Sequence, residues 1–243
     1  MSSVGKQDNI FEEGNLSSLP FTFNQEVTEV FEDMIRRSVP GYQTSLRLIT
    51  QYAKNYYQSE TNCYDIGCSL GASSLSILKA RQDAKITAID NSEAMIKECR
   101  NRFETFPQFK SINFIQEDVM ESELDNTSFV VVNYLIQFLD LNQREALFKK
   151  IYKALLPGGL LVLSEKVHYK NSYESHRVFE THHKFKSSNG YSDMEISGKR
   201  DSLEGVLITE TEESHILRGM RAGFIHSTKV LSNLNFRTFI FCK

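Results

Sequence analysis

The sequence predicts an α/β fold: a doubly wound, mostly parallel sheet of seven strands, with two helices ahead of it and a helical insertion after the fifth strand. Three observations predict it. An apolar segment ends in Asp65 and breaks into the small-residue loop Gly67-Cys68-Ser69-Leu70-Gly71 before Ala72 and Ser73 open a helix. Strand-like and helix-like segments then alternate, the pattern of parallel strands joined by crossover helices. Pro157-Gly158-Gly159 turns the chain into a further apolar run over residues 160–163.

Composition narrows the function. The 243 residues, 40% of them hydrophobic, suit one domain over residues 21–243 behind a loose N-terminus of about 20 residues. A formal net charge of −3 argues against a protein that lives on phosphate contacts, so no direct nucleic-acid partner is expected. The four cysteines form no CxxC pair or disulfide framework and read as reduced thiols of a cytoplasmic protein. The polar first stretch lacks the apolar core of a signal peptide, and no apolar run is long enough to span a membrane.

Taken in order, Val27, Val30, Phe31, Met34 and Ile35 recur at helical spacing with Asn24 as N-cap, and Pro40-Gly41 ends that helix. A second helical pattern runs through Leu46, Ile49, Ala53 and Tyr56, so two helices are placed to cover a cleft. Tyr42 stands at their junction, as a packing anchor or as a ligand contact. After the glycine loop comes a strand over Lys85–Asp90. An acid at that strand end accepts from both hydroxyls of a bound ribose, which is favoured here over a helix cap. A third strand leads to Asp118, placed to accept from an adenine amino group. A fourth, Val130-Val131-Val132, reads as buried on both faces and delivers Asn133 to the cleft or to a turn. Glu165, at the end of the fifth strand, is either a base or a solvated carboxylate and is left unassigned.

Residues 169–210 are too polar and too long for a simple connection and read as a lid or partner surface. Adjacent His182 and His183 point about 100° apart on a helix, so no metal site is expected from them. Arg200 offers a planar fork for a carboxylate. A helix near residues 212–222 and two strands, over residues 224–231 and 236–242, close the chain as an antiparallel hairpin at a sheet edge.

The glycine loop suits a cationic nucleoside without phosphate, because the acid beside it accepts hydrogen bonds while a phosphate needs donors. A nicotinamide fingerprint fails at Ser69, where it requires glycine. An acid before the loop, an acid after the second strand and the Pro-Gly-Gly turn instead resemble an S-adenosylmethionine-dependent methyltransferase fold of class I. Phe31-Glu32-Asp33-Met34-Ile35, Ser38-Val39-Pro40-Gly41-Tyr42, Tyr64 through Gly71, Ala88-Ile89-Asp90-Asn91-Ser92, Asn189-Gly190-Tyr191-Ser192 and Lys199-Arg200 resemble, more narrowly, the carboxy-S-adenosyl-L-methionine synthase family. The resemblance runs from about residue 21 to residue 224 and weakens over residues 231–241.

The resemblance implies conversion of S-adenosyl-L-methionine and prephenate to carboxy-S-adenosyl-L-methionine, phenylpyruvate and water, without a metal. The product would serve modification of a tRNA wobble uridine by a separate enzyme. It implies ligand contacts at Tyr42, Gly67, Cys68, Ser69, Asp90, Asn91, Asp118, Val119, Asn133 and Arg200. Arg200 would also be the catalytic residue, and a homodimer in which it reaches the neighbouring site is implied as well. A small-molecule methyltransferase and a non-catalytic cofactor-binding protein are the other readings of the same residues.

Overall fold

The structure is a computed structural model that describes residues 6–12, 20–104 and 111–243. Helices α1 (Gln25–Ser38) and α2 (Tyr42–Tyr56) precede β1 (Asn62–Ile66), α3 (Ala72–Ala80), β2 (Lys85–Asp90), α4 (Glu93–Glu104) and β3 (Ile112–Gln116). β4 (Thr127–Asn133), a short 3-10 turn, α5 (Leu141–Ala154) and β5 (Leu155–Lys166) follow. Then come α6 (Ser172–Ser188), α7 (Asp193–Ser202), α8 (Glu212–Ala222), β6 (His226–Asn233) and β7 (Phe236–Cys242). The sheet order is β3-β2-β1-β4-β5-β7-β6, with β1 to β5 parallel and β7 antiparallel to both of its neighbours. The strand order reverses between β1 and β4, which opens a crevice at the carboxyl ends of those strands.

Each element has a local cause. Asn24 caps α1 by accepting from the Val27 amide at 3.0 Å. β4 is buried on both faces because helices cover both sides of the sheet, which explains its unbroken run of valines. The closing hairpin does form, but β7 enters between β5 and β6, so of its two strands β6 alone lies at a sheet edge. β7 can do this because Phe236, Phe239 and Phe241 are buried, whereas β6 carries Lys229 and polar residues that suit an exposed edge.

Two expectations are revised. Pro157-Gly158-Gly159 is an irregularity inside β5 and not a turn ahead of it: Thr127 pairs with Leu155, but Phe129 pairs with Leu160. Gly159 is needed there, since a Cβ would lie 2.9 Å from the Leu156 carbonyl oxygen and 3.2 Å from that of Ser128. Of the N-terminal stretch expected to be loose, residues 6–12 pack against α1. Asp8 and Phe11 are buried, the Asp8 amide donates to Asp33 Oδ2 at 2.9 Å, and Arg37 Nη1 donates to the Asp8 carbonyl at 3.1 Å. The remainder of residues 1–20 lies outside the described residues.

The polar stretch after β5 folds as α6 and α7. Its far end is tied to α5 by Arg144, whose side chain is fully buried. Its guanidinium reaches Glu210 at 2.6 Å and donates to the carbonyls of Leu139 at 3.0 Å and Ile208 at 2.9 Å. Arg218 also pairs with Glu210, at 2.5 Å. Replacing Arg144 with methionine should cost about 3 kcal/mol, because three acceptors lose a buried donor while Glu210 keeps Arg218. Urea denaturation should show a lower midpoint at unchanged slope, and S-adenosylmethionine affinity should be retained.

Candidate functional site

The loop after β1 is bent by left-handed residues: Gly67 at φ +71°, Ser69 at +48° and Gly71 at +75°. A Cβ at Gly67 would press on Leu135 at 3.0 Å, so glycine is needed for space as well as for angle. Ser69 is not a glycine, and three contacts hold its strained conformation. Its amide donates to Asp90 Oδ2 at 2.8 Å, its carbonyl accepts from Cys99 Sγ at 2.9 Å, and its hydroxyl lies 3.4 Å from Met95 Sδ.

Two buried acids organise the surroundings. Asp65 Oδ2 accepts from the Ser74 amide at 2.8 Å and the Ser74 hydroxyl at 2.7 Å, which satisfies a donor in the first turn of α3. Its Oδ1 is buried without a partner among the described residues, and burial pushes its pKa up to about 6. Asp90 accepts from Ser69 and, through Oδ1, from the Ser92 amide at 2.9 Å, and burial raises its pKa against these two donors. Ser92, not Asp90, bonds the first turn of α4, accepting from the Met95 amide at 3.2 Å.

A cavity of about 370 Å³ opens above the loop. Gly67, Cys68, Ser69, Tyr42 and Asn133 of the expected residues line it, together with Ser73. Phe31 and Ile35 from α1 and Gln43 and Leu46 from α2 form the cover that two leading helices were expected to supply. Tyr42 is both anchor and lining: its ring is buried 6.3 Å from that of Tyr134, and burial raises its pKa. Asn133 donates to Ser73 Oγ at 3.4 Å and leaves its own Oδ1 buried and without a partner among the described residues.

Other expected residues lie elsewhere. Asp90 ends β2 and Asn91 follows it. The Asp90 carbonyl accepts from the Glu117 amide at 3.0 Å, which brings Asp118 and Val119 alongside. There Asp118 Oδ1 accepts from the Met120 amide at 2.8 Å, and the Val119 side chain is buried in the core. Arg200 does not line the cavity. It is exposed on α7, bonded to Asp201 at 3.1 Å and Ser197 Oγ at 2.9 Å.

Sequence reasoning missed Glu32, Asp33 and Arg36, which reach the cavity from α1. Helical spacing beside the apolar face marked all three, and Glu32 and Asp33 also lie in the segment of residues 31–35 that carries the family resemblance. Both acids are engaged: Glu32 with Arg102 at 2.5 Å, and Asp33 with Arg36 at 2.6 Å and Arg37 at 3.2 Å.

Glu165 is fully buried, so the solvated reading is excluded. It accepts from the amides of Ile136 at 2.7 Å and Gln137 at 3.3 Å, and burial pushes its pKa up to about 8. It lies outside the cavity lining and serves the backbone turn after β4. His182 bonds the Ser38 carbonyl and His183 bonds Asp193, each at 2.8 Å. Among the described residues no group of three or more His, Cys, Asp or Glu is placed to hold a metal ion, and no helix is long and apolar enough to cross a membrane.

Residues 64–159 match a family model described as a methyltransferase domain. The chain is 40% identical over 242 residues to a carboxy-S-adenosyl-L-methionine synthase from Klebsiella pneumoniae, covering 99% of this chain and 98% of that one. It is 43% identical over 225 residues to a protein of the same name from Shigella boydii, covering 92% and 91%. The chain belongs to the carboxy-S-adenosyl-L-methionine synthase family. The fold agrees with that assignment. An O-methyltransferase family protein from Burkholderia thailandensis superposes with a TM-score of 0.64 at 11% identity, over 93% of this chain and 65% of that chain.

For the synthase family, S-adenosylmethionine is a substrate and must fit here. It fits: the loop leaves backbone space, the free oxygen of Asn133 is a buried acceptor in the cavity lining, and that of Asp65 lies two residues ahead of the lining residue Gly67, for a ligand that carries an ammonium and a sulfonium. Asp90→Ala should weaken S-adenosylmethionine binding about 10- to 100-fold by calorimetry, because the Ser69 amide loses its anchor and the loop its shape.

Glu165 gives a pH signature. Its unfolded carboxyl titrates near 4.5 while the folded group keeps its proton to about 8, so the native state binds more protons between those values. Stability therefore falls as pH rises through that window. Urea midpoints should drop between about pH 5 and pH 8 and level off above that, and Glu165→Gln should flatten that slope.

Proposed function

We propose that the chain converts S-adenosylmethionine and prephenate to carboxy-S-adenosyl-L-methionine, phenylpyruvate and water. The observation that carries this reading is the full-length similarity to proteins named for that product, combined with a cavity whose loop bears Ser69 where a nicotinamide site needs glycine. Prephenate loses its ring carboxylate as carbon dioxide and its ring hydroxyl as hydroxide. The hydroxide takes a proton from the sulfonium methyl group to give water, and the resulting carbanion bonds to the carbon dioxide.

This chemistry asks the protein for shelter more than for a base. The two carboxylates that line the cavity are already held by arginines, which suits a reaction whose base arrives with the substrate. Phe31, Ile35 and Leu46 supply apolar cover that keeps water from quenching the carbanion. Asp65, Asp90 and Asn133 supply acceptors for the cation, Tyr42 flanks it, and Asp118 and Val119 take its adenine end. Arg200 pairs the new carboxylate from a neighbouring copy, so the working form is a homodimer. The setting is cytoplasmic, and the product serves a separate enzyme that modifies the wobble uridine of tRNA.

Incubation with S-adenosylmethionine and prephenate should yield a nucleoside heavier by one carboxyl group, read by mass spectrometry. S-adenosylhomocysteine forming without prephenate would instead indicate a methyltransferase. Arg200→Ala should cut the carboxylated product about tenfold or more while leaving S-adenosylmethionine affinity unchanged.

A further inference from the structure

Three lysines converge where no role has been assigned. Lys166 at the end of β5 and Lys199 on α7 reach a shell made of Ser38, His182 and Phe236, and Lys186 lies on α6, the helix of His182. Lys166 Nζ stands 6.0 Å over the Phe236 ring, and the His182 ring packs against the same phenyl at 5.2 Å. Lys199 Nζ lies 3.3 Å from Ser38 Oγ, whose own carbonyl accepts from His182, and Lys186 follows His182 by one helical turn. Phe236 is 6.0 Å from Tyr134, which is 6.3 Å from Tyr42. The lysines therefore stand at one end of an aromatic wall of Phe236, Tyr134 and Tyr42, whose other end, Tyr42, lines the nucleoside cavity.

Their charges are poorly compensated. Lys199 has Asp8 at 3.6 Å, a carboxylate that also accepts from the Tyr191 hydroxyl. No carboxylate lies within ion-pair distance of Lys166 or Lys186 among the described residues. Burial, then repulsion from Lys166, Lys199 and Arg200, pulls the Lys186 pKa down to about 8. Half-buried ammonium groups that repel one another cost stability that methionines would not, and such arrangements concentrate where a ligand supplies the missing charge.

We propose that Lys166 and Lys186, in the field of Lys199, form the subsite for the carboxylate that the second substrate keeps. This rests on the proposed reaction. Prephenate carries one carboxylate that leaves as carbon dioxide and one that remains in phenylpyruvate. An ammonium paired with the departing group would stabilise the ground state and slow its loss. Holding the retained carboxylate behind the wall leaves the departing one toward the apolar cavity, where desolvation favours its release.

Phenylpyruvate, which has only the retained carboxylate, is the probe. Its affinity for protein saturated with S-adenosylhomocysteine is measured by calorimetry, alongside S-adenosylmethionine affinity and the prephenate KM. Lys166→Met and Lys186→Met should each weaken phenylpyruvate binding and raise the prephenate KM about tenfold, with S-adenosylmethionine affinity unchanged and Lys186→Arg close to wild type. Phenylpyruvate binding the methionine variants as tightly as wild type overturns the subsite, as does an equal loss of S-adenosylmethionine binding. If wild type binds phenylpyruvate through these lysines yet makes no carboxylated nucleoside, the reaction falls and the subsite stands. If wild type neither binds nor turns over, both fall.

Discussion

The hydrogen bond from the Ser69 amide to Asp90 ties the end of β1 to the end of β2, and the cavity takes its shape from that tie. A serine at φ +48° is strained on its own, so the loop is defined by what restrains it. Cys99 from α4 holds the same residue by its carbonyl, and Asp65 fixes the start of α3 through Ser74. Three elements thus meet on one short loop, and each contributes a group that only the correct register of β1 and β2 brings into reach.

Charge is sorted on the two sides of the aromatic wall. Buried acids lie under the loop, where a sulfonium and an ammonium would bind. Ammonium groups lie beyond Phe236, where an anionic partner would bind. In a medium less polarisable than water such separation favours oppositely charged groups on the two sides of the wall. Neither set is the cheapest way to build a core, since among the described residues the free oxygen of Asp65 has no partner, and Lys186 is buried against the repulsion of Lys166, Lys199 and Arg200.

The sheet was legible because its causes are local: strand ends, the glycine loop and the alternation of periods all lie within short windows. Tyr42, Gly67, Cys68, Ser69 and Asn133 were legible for the same reason, as they sit on the loop, at a strand end or at a helix junction. Glu165 was not, because its environment is created by the 3-10 turn at Ile136 and Gln137, some thirty residues away in sequence. Glu32 and Asp33 were hidden inside an ordinary amphipathic helix. The lysines were hidden more deeply still, since β5, α6 and α7 contribute one each and nothing in their spacing announces that they meet.

Lys199 and Arg200 show how neighbours in sequence are divided between tasks. Successive residues on a helix point about 100° apart, so they cannot both serve one cleft from the same side. Lys199 turns inward to Ser38 and Asp8, while Arg200 is left on the surface with Asp201 and Ser197. To enter its own cavity Arg200 would have to leave Asp201 and Ser197 and turn away from the exposed face of α7. Delivery of Arg200 to a second copy of the chain needs no such rearrangement. The direction in which α7 presents its two cations therefore separates their tasks, Lys199 toward the core and Arg200 toward the surface.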